Sequence, residues 1–271
     1  MPDEGKLTRS LIIQTLVDAL EPIHYIRAFW EGGAAAFNHV DQWSDIDLYL
    51  IVQDDKIEDT VHEVEQALKS LSPIEHKYET QQKIWPEIFQ VFYKIENASP
   101  YLLIDLAVIK MSSPEKFLEP EIHGNAVFHF NKLNKIEIPY AEDNTKTEKL
   151  RQRIGRLKAR FDIFNIFVQK EINRGNALEA LDLYYNITLA ILTGILRIKY
   201  SPLHHDFKTR YIYSELPESV TYKLENLFFV RDMDDLQRKY IEATKWYNEI
   251  ILSSVNWNTE EHLPPKTTSE S

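Results

Sequence analysis

Two short apolar segments of the chain carry carboxylates, which is an unusual place for them. Asp45 and Asp47 open the segment at residues 43–52, and Asp105 lies within the segment at residues 101–109. Alternate residues of a β-strand share a face, so Asp45 and Asp47 are expected to point the same way. Ionised carboxylates held this close repel each other, and a cation between them removes the repulsion. Oxygen donors of this kind favour Mg²⁺ or Mn²⁺.

The acid in the second segment carries the more specific signal. Asp105 has apolar residues on both sides and is predicted to lie in the middle of a buried strand. A buried carboxylate without a partner destabilises a folded protein by several kcal/mol. A metal ion shared with Asp45 and Asp47 would supply that partner. Without Asp105, the Asp45-x-Asp47 pattern is short and common, and two solvated acids at a strand start would explain it.

A pair of glycines lies upstream of these acids. An apolar run at residues 25–31 ends at Gly32-Gly33, and the small residues at 34–36 are able to begin a helix. Glycine lets the backbone approach a ligand closely, and a helix N-terminus presents free N–H donors to phosphate oxygens. The pattern is typical of a phosphate-binding turn.

The glycine pair and the three acids together resemble the nucleotidyltransferase superfamily typified by DNA polymerase beta. Its members carry a Gly-Gly or Gly-Ser turn, then a strand with two acids spaced as Asp-x-Asp, then a third acid on a later strand. In this chain these features are Gly32-Gly33, Asp45 with Asp47, and Asp105. The resemblance covers about the first half of the chain. It is closest to the small-molecule branch, which includes aminoglycoside and lincosamide nucleotidyltransferases.

Three neighbouring positions refine this resemblance. Ser44, directly before the first acid, also matches the family pattern. Many members carry Ser where this chain has Gly33, and another Gly near the position of Phe37. These departures concern the phosphate turn, whereas the acids are all present.

The resemblance implies a reaction and the residues that carry it out. The implied enzyme moves a nucleoside monophosphate from a nucleoside triphosphate to a hydroxyl of a small molecule, such as an aminoglycoside-like antibiotic, and releases pyrophosphate. ATP is the commonest donor in the family, and Mg²⁺ or Mn²⁺ would be the cofactor. The implied catalytic residues and metal ligands are Asp45, Asp47 and Asp105, and the implied nucleotide-binding residues are Gly32, Gly33 and Ser44.

Two other functions are compatible with the same motifs. One is a nucleotide-binding regulatory or antitoxin-type protein, and the other is an enzyme that nucleotidylates a protein side chain. The presence of all three acids favours an enzyme over a protein that has lost its activity.

Composition limits the partners that the chain can have. With 271 residues, 44% of them hydrophobic, it can form one large domain or two modest ones. It contains no cysteine, which excludes disulfides and thiolate metal sites. A formal net charge of -11 argues against a nucleic-acid partner and suits a polycationic small substrate. Because no apolar N-terminal segment or run of membrane-spanning length is evident, we expect a cytoplasmic protein without membrane contact.

Hydrophobic periodicity predicts an α/β fold with a mixed sheet in the first half of the chain. Apolar residues recur at helical spacing in two segments, and alternate or run continuously in several others. The strand at 101–109 is expected to pair antiparallel with the one before it. The predicted helices are 7–20 and 56–71, and the predicted strands are 23–30, 43–52, 74–78, 87–95, 101–109 and 125–130.

The second half of the chain is predicted to be an all-α helical bundle. A polar stretch without periodicity at 141–148 is interpreted as the domain boundary. The predicted domains are a nucleotidyltransferase core at 1–143, a helical bundle at 144–256 and a disordered tail at 257–271. The predicted helices are 150–173, 177–199, 218–230 and a fourth that Asp232 caps and that runs to about residue 255.

Two clusters in the helical half leave their roles open. The basic residues between 149 and 160 are either a solvated helix face or contacts to a triphosphate. The cluster at 204–211, which begins His-His-Asp, could bind a metal, contact a phosphate or substrate, or simply pack between the domains.

Overall fold

The structure is a computed structural model that describes residues 7–80, 86–133 and 143–253. The first part of the chain folds as a mixed sheet with helices, and the described residues beyond it are helical. The predicted fold class, an α/β core followed by an all-α region, is therefore confirmed.

The chain divides into two compact units, Met1–Tyr140 and Ala141–Ser271. The division falls after Tyr140, whereas the sequence analysis placed it after residue 143. The predicted disordered tail at 257–271 lies outside the described residues.

Six strands in the described part of the first unit form one sheet in the order β3-β4-β5-β2-β1-β6. The central pair, β2 and β5, is parallel, and the other neighbours are antiparallel. The strands are β1 (Ile26–Glu31), β2 (Ile46–Val52), β3 (Ile74–Glu79), β4 (Ile88–Ile95), β5 (Ile104–Lys110) and β6 (Val127–Asn131). The helices of this unit are α1 (Arg9–Leu20), α2 (Gly33–Ala36), α3 (Ile57–Leu71) and α4 (Pro120–His123).

Alternation along β2 separates the two faces of the sheet, as the sequence predicts. Ile46, Leu48 and Leu50 are buried in the main core together with the apolar faces of α1 and α3. Tyr49 and Ile51 belong to a smaller apolar cluster on the opposite face. Because β2 is covered on both sides, its backbone is held firmly at the centre of the sheet.

The strands β1, β2, β5 and β6 begin two or three residues later than the sequence analysis predicts, and the later starts of β2 and β5 bear on function. Asp45 was predicted to lie within the strand at 43–52, but β2 begins after it, at Ile46. The residues before β1 and before β5 form turns instead of strand, since Ile26 N donates to the carbonyl of Ile23 and Leu102 N to that of Ser99. Asp105 is therefore the second residue of β5 and not the middle of a longer strand. It lies at the same end of the parallel pair as Asp47, the second residue of β2.

The second unit contains helices of very different lengths. The helices are α5 (Asp143–Phe164), α6 (Ile166–Arg174), α7 (Ala177–Leu183), α8 (Ala190–Tyr200), α9 (Ile212–Glu215), α10 (Glu218–Phe228) and α11 (Met233–Ser253), with a π-helical segment at Tyr184–Leu189 and a 3-10 turn at Pro202–His204. Asp232 caps α11 as predicted, because its Oδ1 accepts a hydrogen bond of 2.8 Å from the N–H of Asp235.

Two predictions for this unit were wrong in detail. The helix predicted to begin at residue 150 begins at Asp143, because the Lys and Glu residues before 150 favour a helix without an apolar stripe of their own. The helix predicted at 150–173 is interrupted at Asn165. The buried side chain of Asn165 donates to the hydroxyl of Tyr240 at 3.2 Å and accepts from that of Thr188 at 2.6 Å.

The sequence analysis expected no apolar run of membrane-spanning length, but one helical run has that length and composition. Residues Ala177–Tyr200, through α7, the π-helical segment and α8, are long and apolar enough to cross a membrane. In the structure 67% of its most apolar window is buried inside the protein. Every residue from Ile191 to Ile198 is buried, as in the central helix of a bundle.

The cluster at 204–211 is held by contacts to the interior of its own unit. Arg197 is fully buried on α8, forms an ion pair with Glu215 and donates from Nε to the carbonyl of Lys208 at 2.9 Å. His204 Nδ1 lies 2.8 Å from Glu215 Oε1, and its ring stacks on Phe207. These contacts favour packing over a binding role for this cluster, and the packing partners belong to its own unit, whereas the sequence analysis suggested packing between the domains.

We expect Arg197→Met to lower the free energy of unfolding by about 3 kcal/mol or more, since it removes one partner of a buried ion pair. Arg160→Met is the matched control, because Arg160 is exposed and donates only to the carbonyl of Asn186. Its effect should stay within about 0.5 kcal/mol. Urea unfolding measures both, and equal losses would contradict a structural role for Arg197.

Candidate functional site

The register of the central strands brings two of the predicted acids together. Asp47 on β2 lies directly opposite Asp105 on β5. Asp45 immediately precedes β2 and is exposed. The charges of Asp47 and Asp45 both raise the pKa of Asp105, so the three carboxylates interact electrostatically.

The three acids do not yet form a tight cluster. Among the described residues, the group whose ligand atoms all lie within 4.8 Å of one another is Glu115, Glu119 and His123, and the three aspartates do not meet this spacing. Like charges repel at this range in the absence of a cation. Convergence of all three aspartates on one ion therefore remains a prediction.

Asp105 has a perturbed pKa of about 6. Burial is the largest cause, and the negative charges of Asp47 and Asp45 add to it. Gln90 on β4 opposes the shift, because its Nε2 donates to both carboxylate oxygens, at 2.9 and 3.1 Å. The sequence analysis expected a metal to be the partner of this buried acid, and it missed Gln90, which already serves as one.

The pKa of Asp45 is raised as well. Partial burial raises its pKa, while the main-chain amide of Leu103 and the charge of Arg9 act to lower it.

The second glycine of the turn is required by the neighbouring carboxylate. Gly33 has φ +50°, and a Cβ built on it would lie 1.9 Å from Oδ2 of Asp47. No side chain fits in that space, and the backbone conformation itself disfavours any residue with a Cβ. A serine at this position would displace the carboxylate of Asp47.

The first glycine of the turn packs closely against β2. A Cβ on Gly32 would lie 2.6 Å from the ring of Tyr49. The N–H of Gly32 donates to the carbonyl of Asp47 at 3.0 Å. The phosphate contact predicted for Gly32 cannot use this N–H, and the nucleotide-binding roles of Gly32 and Gly33 remain predictions.

Ser44 orders the loop that leads into β2. Its hydroxyl donates to Oδ1 of Asp41 at 2.8 Å and accepts from the N–H of Asp41 at 2.9 Å. The N–H of Trp43 donates to the same carboxylate oxygen at 2.9 Å. These bonds fix the approach to Asp45, and a nucleotide contact by Ser44 remains a prediction.

A second charged network lies next to the acids, and the sequence analysis missed it. The guanidinium of Arg9 donates to the carbonyl oxygen of Asp45 at 2.6 Å and to Oε2 of Glu31 at 2.5 Å. The other carboxylate oxygen of Glu31 lies 2.9 Å from Nε2 of His129. Burial acts to raise the pKa of Glu31, but His129 and Arg9 outweigh it, so this pKa lies below its usual value.

The donor set suits a hard divalent cation. Asp45, Asp47 and Asp105 offer only carboxylate oxygens, which are the preferred ligands of Mg²⁺ and Mn²⁺. A cation would also relieve the repulsion that contributes to the raised pKa of Asp105. The residues present therefore fit the ion that the sequence analysis expected.

Comparison with known proteins finds similarity to solved structures but not to family models or curated sequences. No protein-family model matches the chain, and no curated protein matches it. Among solved structures, the chain is similar to an aminoglycoside 6-adenyltransferase from Bacillus subtilis, with a TM-score of 0.38 and 12% sequence identity over 96% of this chain and 94% of that chain. A similarity at this level assigns neither a family nor an activity.

Replacing Asp105 should change how stability depends on pH. The folded-state pKa of about 6 lies above the usual value of 3.8. The stability gained by protonating Asp105 is therefore complete below about pH 4 and is lost as the pH rises through about 6. Asp105→Asn cannot ionise, so at pH 7 the metal-free variant should be more stable than wild type by up to about 3 kcal/mol.

Urea unfolding in EDTA at pH 4 and pH 7 tests this expectation. The difference between variant and wild type should be small at pH 4 and larger at pH 7. Asp55→Asn, at an exposed acid in the same unit, is the control. A variant that is less stable than wild type at pH 7 would show that the ionised carboxylate is structural.

Gly33→Ala should disturb the candidate metal site beyond its effect on stability. Alanine at positive φ costs about 1 kcal/mol, and the new methyl group also displaces the Asp47 carboxylate. Gly175→Ala is the matched control, since Gly175 has φ +75° but nothing within 4 Å of a built Cβ. Calorimetric titration with Mn²⁺-ATP should show weakened binding for Gly33→Ala only. Equal binding by both variants would contradict the close packing of Gly33 on Asp47.

Proposed function

We propose that this protein is a metal-dependent nucleotidyltransferase that moves a nucleoside monophosphate to a hydroxyl of a small molecule and releases pyrophosphate. The observation that carries the proposal is the in-register placement of Asp47 and Asp105 on the central parallel strands, with Asp45 two residues before Asp47. A glycine turn packs directly on the Asp47 carboxylate. Acids arranged at one end of a covered sheet are poorly explained by stability, because their burial and mutual repulsion oppose folding.

Asp45, Asp47 and Asp105 would hold Mg²⁺ or Mn²⁺. When bound, the ion supplies positive charge that binds the triphosphate and stabilises charge developing at the reacting phosphorus. The protein's part is to fix the carboxylates. Asp47 is held in the β2 ladder, Asp105 is oriented by Gln90, and the main chain of Asp45 is held by Arg9.

Asp105 is the best candidate for the proton acceptor. The acceptor hydroxyl forms a new O–P bond to the α-phosphorus of the nucleoside triphosphate, the bond from that phosphorus to the pyrophosphate oxygen breaks, and the hydroxyl proton passes to the Asp105 carboxylate. A cation held beside Asp105 would keep this carboxylate ionised at neutral pH, so that it can accept the proton. Gln90 presents its amide N–H to the same carboxylate and so holds its orientation.

The donor and the acceptor follow from the resemblance and from charge. ATP is the proposed donor, and an aminoglycoside-like polycation is the proposed acceptor. A net charge of -11 attracts such a molecule and repels a nucleic-acid backbone. Nucleotidylation of a protein side chain would use the same acids and is separated from the small-molecule reaction by experiment.

The first test is the metal dependence of nucleotide binding. Isothermal titration of the protein with ATP should show binding in Mg²⁺ that is lost in EDTA, because the carboxylates bind the nucleotide through the cation. Asp47→Asn should bind much more weakly, whereas Asp55→Asn should match wild type. Equal affinity with and without metal would contradict the proposal.

The second measurement separates the possible acceptors. Pyrophosphate release from ATP and Mg²⁺ is followed with a panel of aminoglycosides, with a protein extract, and with no acceptor. Release that needs an aminoglycoside supports the proposed reaction. Release that needs the protein extract, with the nucleotide of labelled ATP attached to a protein, supports protein nucleotidylation. Metal-dependent binding without any release would identify a nucleotide-binding regulator.

A further inference from the structure

We infer that Arg9 is a positioning residue for the acid Asp45, and that it acts through the Asp45 main chain. This inference rests on the proposed metal-dependent function. Arg9 is far from the acids in sequence, yet its guanidinium donates to the carbonyl oxygen of Asp45 at 2.6 Å. It does not form an ion pair with the Asp45 side chain, which leaves that carboxylate available to a cation.

The peptide unit between Asp45 and Ile46 is held at both of its ends. The N–H of Ile46 donates to the carbonyl of Leu103 at 2.8 Å, and the carbonyl of Asp45 accepts from Arg9. A peptide unit fixed at its N–H and its C=O cannot rotate freely, which restrains the backbone from which the Asp45 side chain projects. Removing a partner that orients a metal ligand in this way typically lowers metal affinity by roughly 10- to 100-fold.

The anchor is itself held rigidly. The second arm of the Arg9 guanidinium reaches Oε2 of Glu31 at 2.5 Å, and the Glu31 side chain is only 8% exposed. Glu31 ends β1, directly before the glycine turn, and its other oxygen contacts His129 on β6. One planar guanidinium thus ties the approach to β2 to the end of β1 through two separate nitrogens, Nη1 and Nη2.

Helix stability does not explain an arginine at this position. Arg9 is the first residue of α1, where a positive charge opposes the helix dipole, and the first turn contains no acid. Thr8 supplies the N-cap, accepting from the N–H of Leu11 at 3.2 Å. The buried face of α1 in turn holds the anchor in place.

The position of Asp45 is also where small movements matter most. Asp47 and Asp105 are fixed by the strand ladder, whereas Asp45 precedes β2 and the three carboxylates do not all lie within 4.8 Å. A rotation of the peptide after Asp45 therefore decides whether its carboxylate reaches a cation held by the other two.

A double substitution separates positioning from stability. Arg9→Gln alone leaves the buried carboxylate of Glu31 without its arginine and should lower the melting temperature. Arg9→Gln combined with Glu31→Gln removes that stranded charge, so the melting temperature should return toward wild type. The carbonyl of Asp45 still lacks its donor, and the Kd for Mn²⁺ in the presence of ATP should rise roughly tenfold. Free Mn²⁺ is measured by electron paramagnetic resonance on the full chain.

Three further variants complete the comparison. Glu31→Gln alone keeps an amide oxygen that can accept from Arg9, so the bond from Arg9 to Asp45 should persist and the Kd for Mn²⁺ should stay close to that of wild type. Arg9→Lys should fall between wild type and the double variant. Arg27→Gln is the control, because Arg27 donates to the carbonyl of His24 and not to Asp45.

Each outcome bears on a different claim. A double variant with wild-type affinity for Mn²⁺ would overturn the positioning role of Arg9, although Mn²⁺-dependent binding by wild type would still support the proposed function. A wild-type protein that binds neither Mn²⁺ nor Mn²⁺-ATP would instead contradict the proposed function, and the positioning role with it. A tenfold loss confined to the variants that lack Arg9 supports both.

Discussion

The parallel pairing of β2 with β5 is the contact on which the candidate site depends. It places the second residue of each strand side by side, and both of these residues are aspartates. Burial and mutual repulsion work against this arrangement, whereas the apolar residues that follow on both strands are buried on both faces of the sheet and favour it. The sheet therefore holds two like charges together because its core is stable enough to do so, and a divalent cation would convert that opposition into attraction.

Three surrounding elements each contact one of the aspartates. β4 supplies the amide of Gln90 to Asp105, the glycine turn leaves out a Cβ where the Asp47 carboxylate lies, and α1 supplies a guanidinium to the main chain of Asp45. None of these contacts neutralises an aspartate with a directly paired cationic side chain. The arrangement fixes the acids while their negative charge stays available, which is what binding a metal and a triphosphate requires.

The acids could be predicted from sequence because strand alternation and the expense of burying a carboxylate are local signals. The mixed sheet, the edge strand β3 and the helix α3 followed from periodicity in the same way. Gln90 and Arg9 could not be found like this, since their partners are far away in sequence and a single polar residue in a strand or at a helix start is ordinary. The late start of β5 was missed because the residues before it are as apolar as the strand. The start of α5 was missed because charged residues can extend a helix that later residues anchor.

The central helix of the second unit has a consequence for the way that unit folds. Eight successive residues of α8, from Ile191 to Ile198, are buried, so no side of this stretch is suited to water. A helix with one polar face can form in water before its apolar face is packed. The buried stretch of α8 has no polar face, so it needs α5, α11 and the π-helical segment around it. It also carries Arg197, whose charge is satisfied only after Glu215 and the loop carbonyls are in place. The second unit should therefore assemble in a single cooperative step, and a chain cut within it would leave its most apolar segment exposed to aggregation.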